Sequence, residues 1–498
     1  MRRLAVLPLA LSLLVLPDRA LAHGLGQTYD LPVPFWLYFF GAAAAVLVSF
    51  VQVGVFVGEG DAVLGYPRFD LLRLGPLRAL LGARLFLGGV RLVSVALLAL
   101  VILSGLFGNQ DPLDNFAPTF VWIVWWVGMG FFVAFVGNVW PLVNPWKILF
   151  EWADALSRRL GAERGLELAK TYPVWGVWPA LALYAVFIWV ELVYEGRAEP
   201  HNLAVLALCY SGVTWAGMVI FGKETWLRRG EAFSVFFGLL GRFAPTEARV
   251  TDPGLCDGCS GCCPTVGGEC VNCYECFAKA SPEDRELDLR LPSVGLARPE
   301  PVPPGGVIFV ILVLAGVAYD GLQETPPWLE LVRLTPLTQT SGLISLPLVF
   351  FVLYLGFVKL SQVMGGGVGG LRLFAAAYVY SLVPIAVVYQ VAHYFSYLLV
   401  QGQAIIALAS DPFGWGWDLF GTAGYGVNPD VIGADTVWYA QVALIVAGHV
   451  VAVYLAHLVA LRLLEDRRKA LLSQIPMLAL MIFYTVFSLW ILSQPSAG

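Results

Sequence analysis

Seven of the eight cysteines lie within 21 residues, and their spacing suits metal binding. They form two Cys-x2-Cys-x2-Cys runs and one additional thiol. Two thiolates separated by two residues can bind one ion, because the turn between them points both sulfurs to the same side and the neighbouring glycines permit tight turns. The sequence therefore predicts a metal site at Cys256, Cys259, Cys262, Cys263, Cys270, Cys273 and Cys276.

The identity of the metal has several interpretations. Cys256 and Cys259, together with Cys273 and Cys276, have the spacing of a zinc ribbon with four thiolates. The repeated Cys-x2-Cys-x2-Cys run also resembles the ligation of an iron–sulfur cluster, although neither run continues with the x3-Cys-Pro of bacterial ferredoxins. Zinc is the first interpretation, an iron–sulfur cluster the second, and disulfides or reactive thiols the third.

A second group of polar residues lies inside apolar segments, where ionisable side chains are costly and point to function. Helical spacing allows His393 and His449 to converge with Asp320 in the outer half of the membrane. The candidate residues of this intramembrane site are Glu191, Asp320, Gln390, His393, His449 and His457.

Three kinds of chemistry are open to this intramembrane group. Neutral histidines and a carboxylate could bind an unidentified divalent metal that activates water, or they could relay protons. Two histidines at one depth could instead ligate haem b. The alternative without a function is that the same residues are hydrogen-bonded packing residues.

The elements that carry these residues must lie in lipid. Of the 498 residues, 58% are hydrophobic and 13% are charged, and the mean hydropathy is +0.75. A soluble protein carries about 25% charged residues. The composition therefore excludes an ordinary water-soluble enzyme and a disordered chain. The net charge of −5 gives no support for a nucleic-acid partner. The expected partners are the lipid bilayer and a small-molecule substrate or ion.

Apolar stretches of about 20 residues predict an all-α integral membrane protein with ten transmembrane helices. The predicted spans are residues 35–58, 88–107, 118–141, 174–194, 202–222, 307–322, 342–363, 372–400, 437–462 and 475–493.

The basic residues predict the orientation of these spans. Residues 1–22 have the charged start, apolar run and Ala-x-Ala end of a signal peptide for export in bacteria. Beyond it, every Lys and Arg except Arg197 and Arg333 falls in alternate loops or at the adjoining helix ends. Positive residues favour the cytoplasmic side. We therefore expect an inner-membrane protein with both mature termini in the periplasm and the cysteine-rich loop in the cytoplasm.

The long loop over residues 223–306 separates spans 1–5, in residues 23–222, from spans 6–10, in residues 307–498. Its first part, Trp226–Phe243, has aromatic residues at helical spacing beside arginines, which is typical of a helix in the membrane interface. The cysteine-rich metal-binding motif follows. The sequence thus predicts a ten-helix bundle with a cytoplasmic insert.

Several motifs resemble a family of bacterial polytopic proteins, some of which are labelled fenitrothion hydrolase, an organophosphate-cleaving activity. The resemblance covers most of the membrane portion. It lies in His23-Gly-Leu-Gly with Leu31-Pro-Val-Pro34, Asn144-Pro145-Trp146, Tyr319-Asp320-Gly321, His393-Tyr-Phe-Ser-Tyr397, Asp411-Pro-Phe-Gly-Trp-Gly-Trp-Asp-Leu-Phe-Gly421 and Gly448-His449.

The resemblance implies a membrane-embedded, metal-dependent hydrolase of a lipophilic ester. In this first hypothesis, the polar residues found in the spans, His393, His449 and Asp320, hold the ion and its water. A second hypothesis is a transporter of a metal ion or small solute that uses the same residues for translocation and the cysteine loop as a cytoplasmic sensor. A third hypothesis is an electron-transfer subunit with an iron–sulfur loop.

Overall fold

The computed structural model describes residues 19–21, 28–30, 34–58, 66–255, 259, 270–298, 302–332, 335–367 and 369–494. Helices make up 74% of the structure, and the chain is an all-α polytopic membrane protein. Nine helices within the described ranges are long and apolar enough to cross a membrane. They are α1 (Phe35–Phe56), α3 (Arg84–Phe107), α4 (Phe116–Phe135), α8 (Pro200–Phe221), α12 (Pro304–Gln323), α14 (Pro336–Met364), α15 (Leu371–Ser410), α16 (Ala434–Leu463) and α17 (Arg467–Ser493).

Shorter helices lie between these spans. Helix α7, Trp178–Leu192, occupies the position of the predicted fourth span but has only 15 residues. A helix of this length covers about 22 Å, less than the hydrocarbon core of a typical bilayer. The other short helices are α2 (Gly75–Gly82), α5 (Trp140–Val143), α6 (Pro145–Arg159), α9 (Lys223–Arg229), α10 (Ala232–Phe243), α11 (Tyr274–Lys279) and α13 (Pro326–Leu331).

Local sequence explains where several helices begin. Asn144 accepts a hydrogen bond from the backbone N–H of Lys147 at 3.1 Å and so caps α6, whose first residue is proline. Asp466 caps α17 by accepting from the N–H of Arg468 at 2.8 Å. The basic residues Arg467, Arg468 and Lys469 therefore form the first turn of this last membrane helix.

The segment predicted to lie in the membrane interface is instead buried inside the protein. Phe233, Phe236 and Phe237 of α10 are at most 3% exposed. The ring of Phe233 lies 4.6 Å from that of Trp125 in α4, and Phe236 lies 5.4 Å from Tyr184 in α7. The prediction of an interfacial helix is wrong because neighbouring helices, and not lipid, cover the aromatic side chains.

A small antiparallel sheet adjoins α10. Its strands, in the order β3-β6-β4-β5, are β3 (Phe69–Asp70), β6 (Arg285–Leu289), β4 (Thr246–Val250) and β5 (Cys270–Val271). A separate antiparallel pair joins β1 (Arg19–Leu21) to β2 (Thr28–Asp30). These two groups are the only sheets among the described residues. The larger sheet ties the loop before α2 to the long central loop, and thereby holds one cysteine at its edge.

The helices differ in how much of their surface is buried in the protein core. Most of α12 is buried, and Tyr319 within it is fully covered. By contrast, Phe56 of α1 is 81% exposed and Leu85 of α3 is 92% exposed. Large apolar side chains exposed in this way are compatible with lipid as the surrounding medium. The predicted signal peptide, residues 1–22, lies outside the described residues apart from β1.

Candidate functional site

Three cysteine thiols come together beside the small sheet. One sulfur each from Cys259, Cys273 and Cys276 lies within 4.8 Å of the others. Cys273 precedes the first residue of α11, and Cys276 lies within that helix and is 1% exposed. The spacing of two intervening residues brings this pair to the same end of a short helix. Among the described residues, this is the only group of three or more potential metal ligands with that geometry.

The separation of the sulfurs fits a single ion. The Sγ atoms of Cys259 and Cys273 are 3.7 Å apart. In a tetrahedral zinc site with Zn–S bonds of about 2.3 Å, neighbouring sulfurs are about 3.8 Å apart. The separation of Cys259 and Cys273 therefore matches one edge of such a tetrahedron, and the sulfur of Cys276 lies within 4.8 Å of both.

A turn at Asn272 positions the second and third thiols. The φ angle of Asn272 is 55°, a left-handed conformation that asparagine tolerates better than most residues. Its backbone N–H donates to the carbonyl of Ala248 at 2.7 Å, and its side-chain oxygen accepts from the N–H of Ala248 at 3.0 Å. Strand β4 thus fixes the residue immediately before Cys273.

An acidic and a basic side chain form an ion pair beside the thiols. The Oε2 atom of Glu275 lies 3.7 Å from the sulfur of Cys259, and Lys279 donates to Glu275 at 2.7 Å. Burial alone would raise the pKa of Glu275, but the hydrogen bond and charge of Lys279 outweigh it and leave the pKa below its usual value.

The other predicted thiol ligands are placed differently. Cys270 is in β5 and is 3% exposed, but its sulfur is not part of the group of three. Cys256, Cys262 and Cys263 lie outside the described residues. The fourth position around an ion therefore has no ligand assigned among the described residues.

A second site joins titratable side chains from three helices. The Nε2 atom of His393 in α15 lies 2.8 Å from Oδ2 of Asp320 in α12. Tyr394 donates its hydroxyl to the same oxygen at 2.7 Å and also lies 3.3 Å from Oε1 of Glu191 in α7. Trp126 of α4 donates to that oxygen of Glu191 at 2.6 Å. We call Glu191, Asp320, His393 and Tyr394 the carboxylate cluster.

The two acids of the carboxylate cluster lie close to the ends of their helices. Asp320 is three residues before the last residue of α12, and Glu191 is the penultimate residue of α7. The side chain of Asp320 is 13% exposed and that of His393 is 6% exposed. The cluster is thus mostly enclosed, with a small accessible area at Asp320.

A glycine makes room for this arrangement. A Cβ atom at Gly321 would lie 2.6 Å from Cγ2 of Ile491 and 3.0 Å from the hydroxyl of Tyr389. It would also lie 3.5 Å from Cε1 of His393. The absence of a side chain at Gly321 therefore lets α12 approach α15 and α17 closely.

The other predicted residues of the intramembrane site contact partners outside the carboxylate cluster. The Nδ1 atom of His449 is 2.8 Å from the carbonyl oxygen of Ile445, in its own helix. His457 contacts the side chain of Gln474 at 2.9 Å and the carbonyl of Val57 at 3.3 Å. Gln390 is 7% exposed, and its amide faces Gly130.

The expected convergence of three intramembrane ligands is not present. All of His393, His449 and Asp320 are described, yet their potential ligand atoms do not lie within 4.8 Å of one another. The helical period places residues along and around one helix but leaves open which neighbour each face meets. Asp320 and His393 are brought together, whereas His449 bonds to its own helix.

Three residues that the sequence did not single out take part in buried polar contacts. Tyr394 follows His393 directly, and its hydroxyl bridges two acids. Trp126 belongs to an apolar run and gave no signal. Glu231 is fully buried and caps α10 by accepting from the N–H groups of Phe233 and Ser234 at 2.9 and 2.7 Å. An acid directly before an apolar helix is a recognisable cap.

Comparisons with known proteins add no relative to this description. No protein-family model, no curated protein and no solved structure matches the chain. The interpretation of the two sites therefore depends on their geometry and chemistry.

Proposed function

We propose that this membrane protein is a proton-coupled transporter of a divalent, thiol-binding cation, with Zn²⁺ as the representative cargo. The observation that carries the proposal is the carboxylate cluster, in which Asp320, His393 and Tyr394 are joined by hydrogen bonds of 2.8 Å or less. Ionisable groups in membrane helices typically mark ion pathways and proton relays.

The chemistry of the cluster suits an exchange of protons for a cation. Asp320 accepts hydrogen bonds from His393 and Tyr394 through one oxygen, Oδ2. A divalent cation that approaches the carboxylates favours loss of a proton from the imidazole, because two positive charges at one place repel each other. Binding of the cation and release of a proton are then linked at the same side chains.

The cluster of three cysteine thiols supports the choice of a thiol-binding cation as the cargo. Thiolates are soft ligands that select zinc and similar metals over magnesium or calcium. The spacing of Cys259 and Cys273, 3.7 Å between sulfurs, fits one zinc ion. In this proposal the cysteine-rich loop binds the cation on the predicted cytoplasmic side and senses its concentration.

A hydrolase receives less support from the geometry. Activation of water by a metal requires several ligands around one ion and an open position. The ligand atoms of His393, His449 and Asp320 do not gather within 4.8 Å. Cleavage of a lipophilic phosphotriester by the detergent-purified protein, with loss of cleavage in His393→Gln, would favour the hydrolase over the transporter.

Reconstitution into liposomes tests the proposal. Vesicles containing the full chain would carry a zinc-sensitive dye and a pH-sensitive dye in the lumen, and Zn²⁺ would be added outside. We expect zinc to enter and luminal protons to leave. Asp320→Asn and His393→Gln each remove a titratable group at similar size and should lower both signals at least tenfold.

His449→Gln is the matched control. It also replaces a buried histidine, but one that bonds to the carbonyl of Ile445 and not to the carboxylates. We expect this variant to retain transport when its purification profile matches the parent. Parent vesicles that move no more zinc or protons than protein-free liposomes would refute the proposal.

A further inference from the structure

A large apolar cavity lies between helices of the first half of the chain. Its volume is about 890 Å³, and it is bounded by α3, α4, α7 and α8, with Phe233 of α10 at one wall. Its lining is almost entirely apolar and includes Gly89, Val93, Leu97 and Val213. Ligand sites typically occupy about 300–1,000 Å³, so this space is large enough for the hydrocarbon part of a lipid.

Two basic residues, Arg91 and Lys147, are neighbours in sequence of residues that line this cavity, and a third, Lys223, shares an acidic partner with Arg91. Arg91 lies between the wall residues Val90 and Ser94 in α3, and it pairs with Glu151 of α6. Lys223 lies 2.8 Å from Glu151 and 3.1 Å from Glu224. Lys147 follows the wall residue Trp146 in sequence. These three cations lie near the carboxylates of Glu151 and Glu224, and a third carboxylate, that of Glu167, accepts from the backbone N–H of Lys223 at 3.0 Å.

Two of these basic side chains, Arg91 and Lys147, can interact with a further acceptor. The Nε atom of Arg91 is buried and has no hydrogen-bond partner among the described residues. Lys147 donates to the carbonyl of Pro141 at 2.9 Å, a neutral acceptor. Burial is the main reason that the pKa of Lys147 is lowered, and the charges of Glu151 and Glu224 only partly oppose it. An additional anion would stabilise this group.

We propose that an anionic phospholipid binds here, with an acyl chain in the cavity and its phosphate beside Arg91, Lys147 and Lys223. Basic pockets between membrane helices on the cytoplasmic side bind anionic headgroups, and arginine and lysine are the usual partners of phosphate. Predicted sidedness places these three residues on the cytoplasmic side, where such lipids are available. The proposal is independent of the transport function.

Native mass spectrometry of the full chain in detergent tests this site. The probes are dioleoyl phosphatidylglycerol and dioleoyl phosphatidylcholine, which share acyl chains and differ in net charge. We expect the parent to retain phosphatidylglycerol at least fivefold more than phosphatidylcholine. Arg91→Gln should remove most of that preference, since it deletes a charge and leaves Lys223 paired with Glu151.

Two neighbouring glycines provide a matched test of the cavity itself. A Cβ atom at Gly88 or Gly89 would meet nothing within 4 Å, so both positions accept a larger side chain. Only Gly89 lines the cavity. Gly89→Leu should reduce retained phosphatidylglycerol several-fold, and Gly88→Leu should not. Equal retention of the two lipids by the parent, or equal retention by the two glycine variants, would overturn the proposal.

Discussion

Arg290 and Glu247 form an ion pair in which both side chains are completely buried. Glu247 also accepts from Arg68 at 2.9 Å. Arg290 in addition donates to the carbonyls of Gly241 and Arg242 at 3.2 and 3.1 Å, near the last turn of α10. This ion pair therefore connects the small sheet, and the three clustered cysteines beside it, to a helix inside the membrane bundle.

Loss of one partner of this pair should destabilise the protein strongly. Arg290→Met leaves the carboxylate of Glu247 with less compensation in a buried place, and breaking a buried ion pair costs about 3–5 kcal/mol. We expect a clear fall in the Tm of the detergent-purified chain. Arg73→Gln is the control, because Arg73 is 74% exposed and 3.8 Å from its partner Asp70. Similar Tm values for the two variants would contradict the role assigned to the pair.

Removal of one clustered thiol should abolish zinc binding. The parent should contain about one zinc ion per chain in elemental analysis, as expected for a tetrahedral thiolate site. Cys273→Ser removes a sulfur that lies 3.7 Å from that of Cys259 and should lower the zinc content to near zero. Cys209 is in α8 and is not one of the three clustered cysteines, so Cys209→Ser should leave the zinc content unchanged. Iron with visible absorbance in the anaerobically purified parent would instead identify an iron–sulfur cluster.

The hydroxyl of Tyr394 should affect transport more than that of a nearby tyrosine. Tyr394→Phe keeps the ring and deletes the hydrogen bond to Asp320, which measures 2.7 Å. Loss of a bond to a charged group costs about 1.5–3 kcal/mol, so zinc-driven proton movement in liposomes should slow at least severalfold. Tyr397→Phe, one turn further along the same helix, is the comparison. Equal rates for both variants would show that the bridge does not contribute.

Two glycine-to-alanine substitutions should differ in their effect on stability. At Gly321 the new Cβ would lie 2.6 Å from Ile491 and 3.0 Å from the Tyr389 hydroxyl, so the packing must shift. We expect a lower Tm. At Gly356, inside α14, a Cβ would meet nothing within 4 Å. Alanine is favoured over glycine in helices by about 1 kcal/mol, so the Tm should stay the same or rise. A tolerated Gly321→Ala would weaken the case for close packing at the carboxylate cluster.

The pH dependence of stability should include a contribution from Asp154. The backbone N–H of Leu166 is the main cause of its lowered pKa, and Arg158 acts in the same direction. A carboxylate whose pKa is lowered by folding stabilises the native state above its unfolded pKa. That stability is lost as the pH falls through the folded value. Asp154→Ala should therefore lower the Tm at pH 7, and the difference from the parent should shrink below about pH 4. A difference that is constant from pH 7 to pH 3 would contradict this mechanism.

The sequence by itself determined the membrane architecture. A segment that crosses lipid needs about 20 apolar residues with internal hydrogen bonds, so the requirement is readable locally. Nine of the ten predicted spans correspond to long apolar helices among the described residues, and the tenth is the shorter α7. The pairing of Cys273 with Cys276 was also local, because only two residues separate these cysteines at the start of one helix.

The tertiary structure decided which of these side chains contact one another. Sequence placed Asp320 and His393 in the outer half of the membrane, but only the packing of α12 against α15 joined them. The packing of α7 near α15 then brought Glu191 to the hydroxyl of Tyr394. It also left His449 bonded within its own helix and buried α10 among aromatic side chains. Helical period specifies which residues share a face. The neighbour that this face meets depends on contacts between segments far apart in the chain, and these contacts have no local signature.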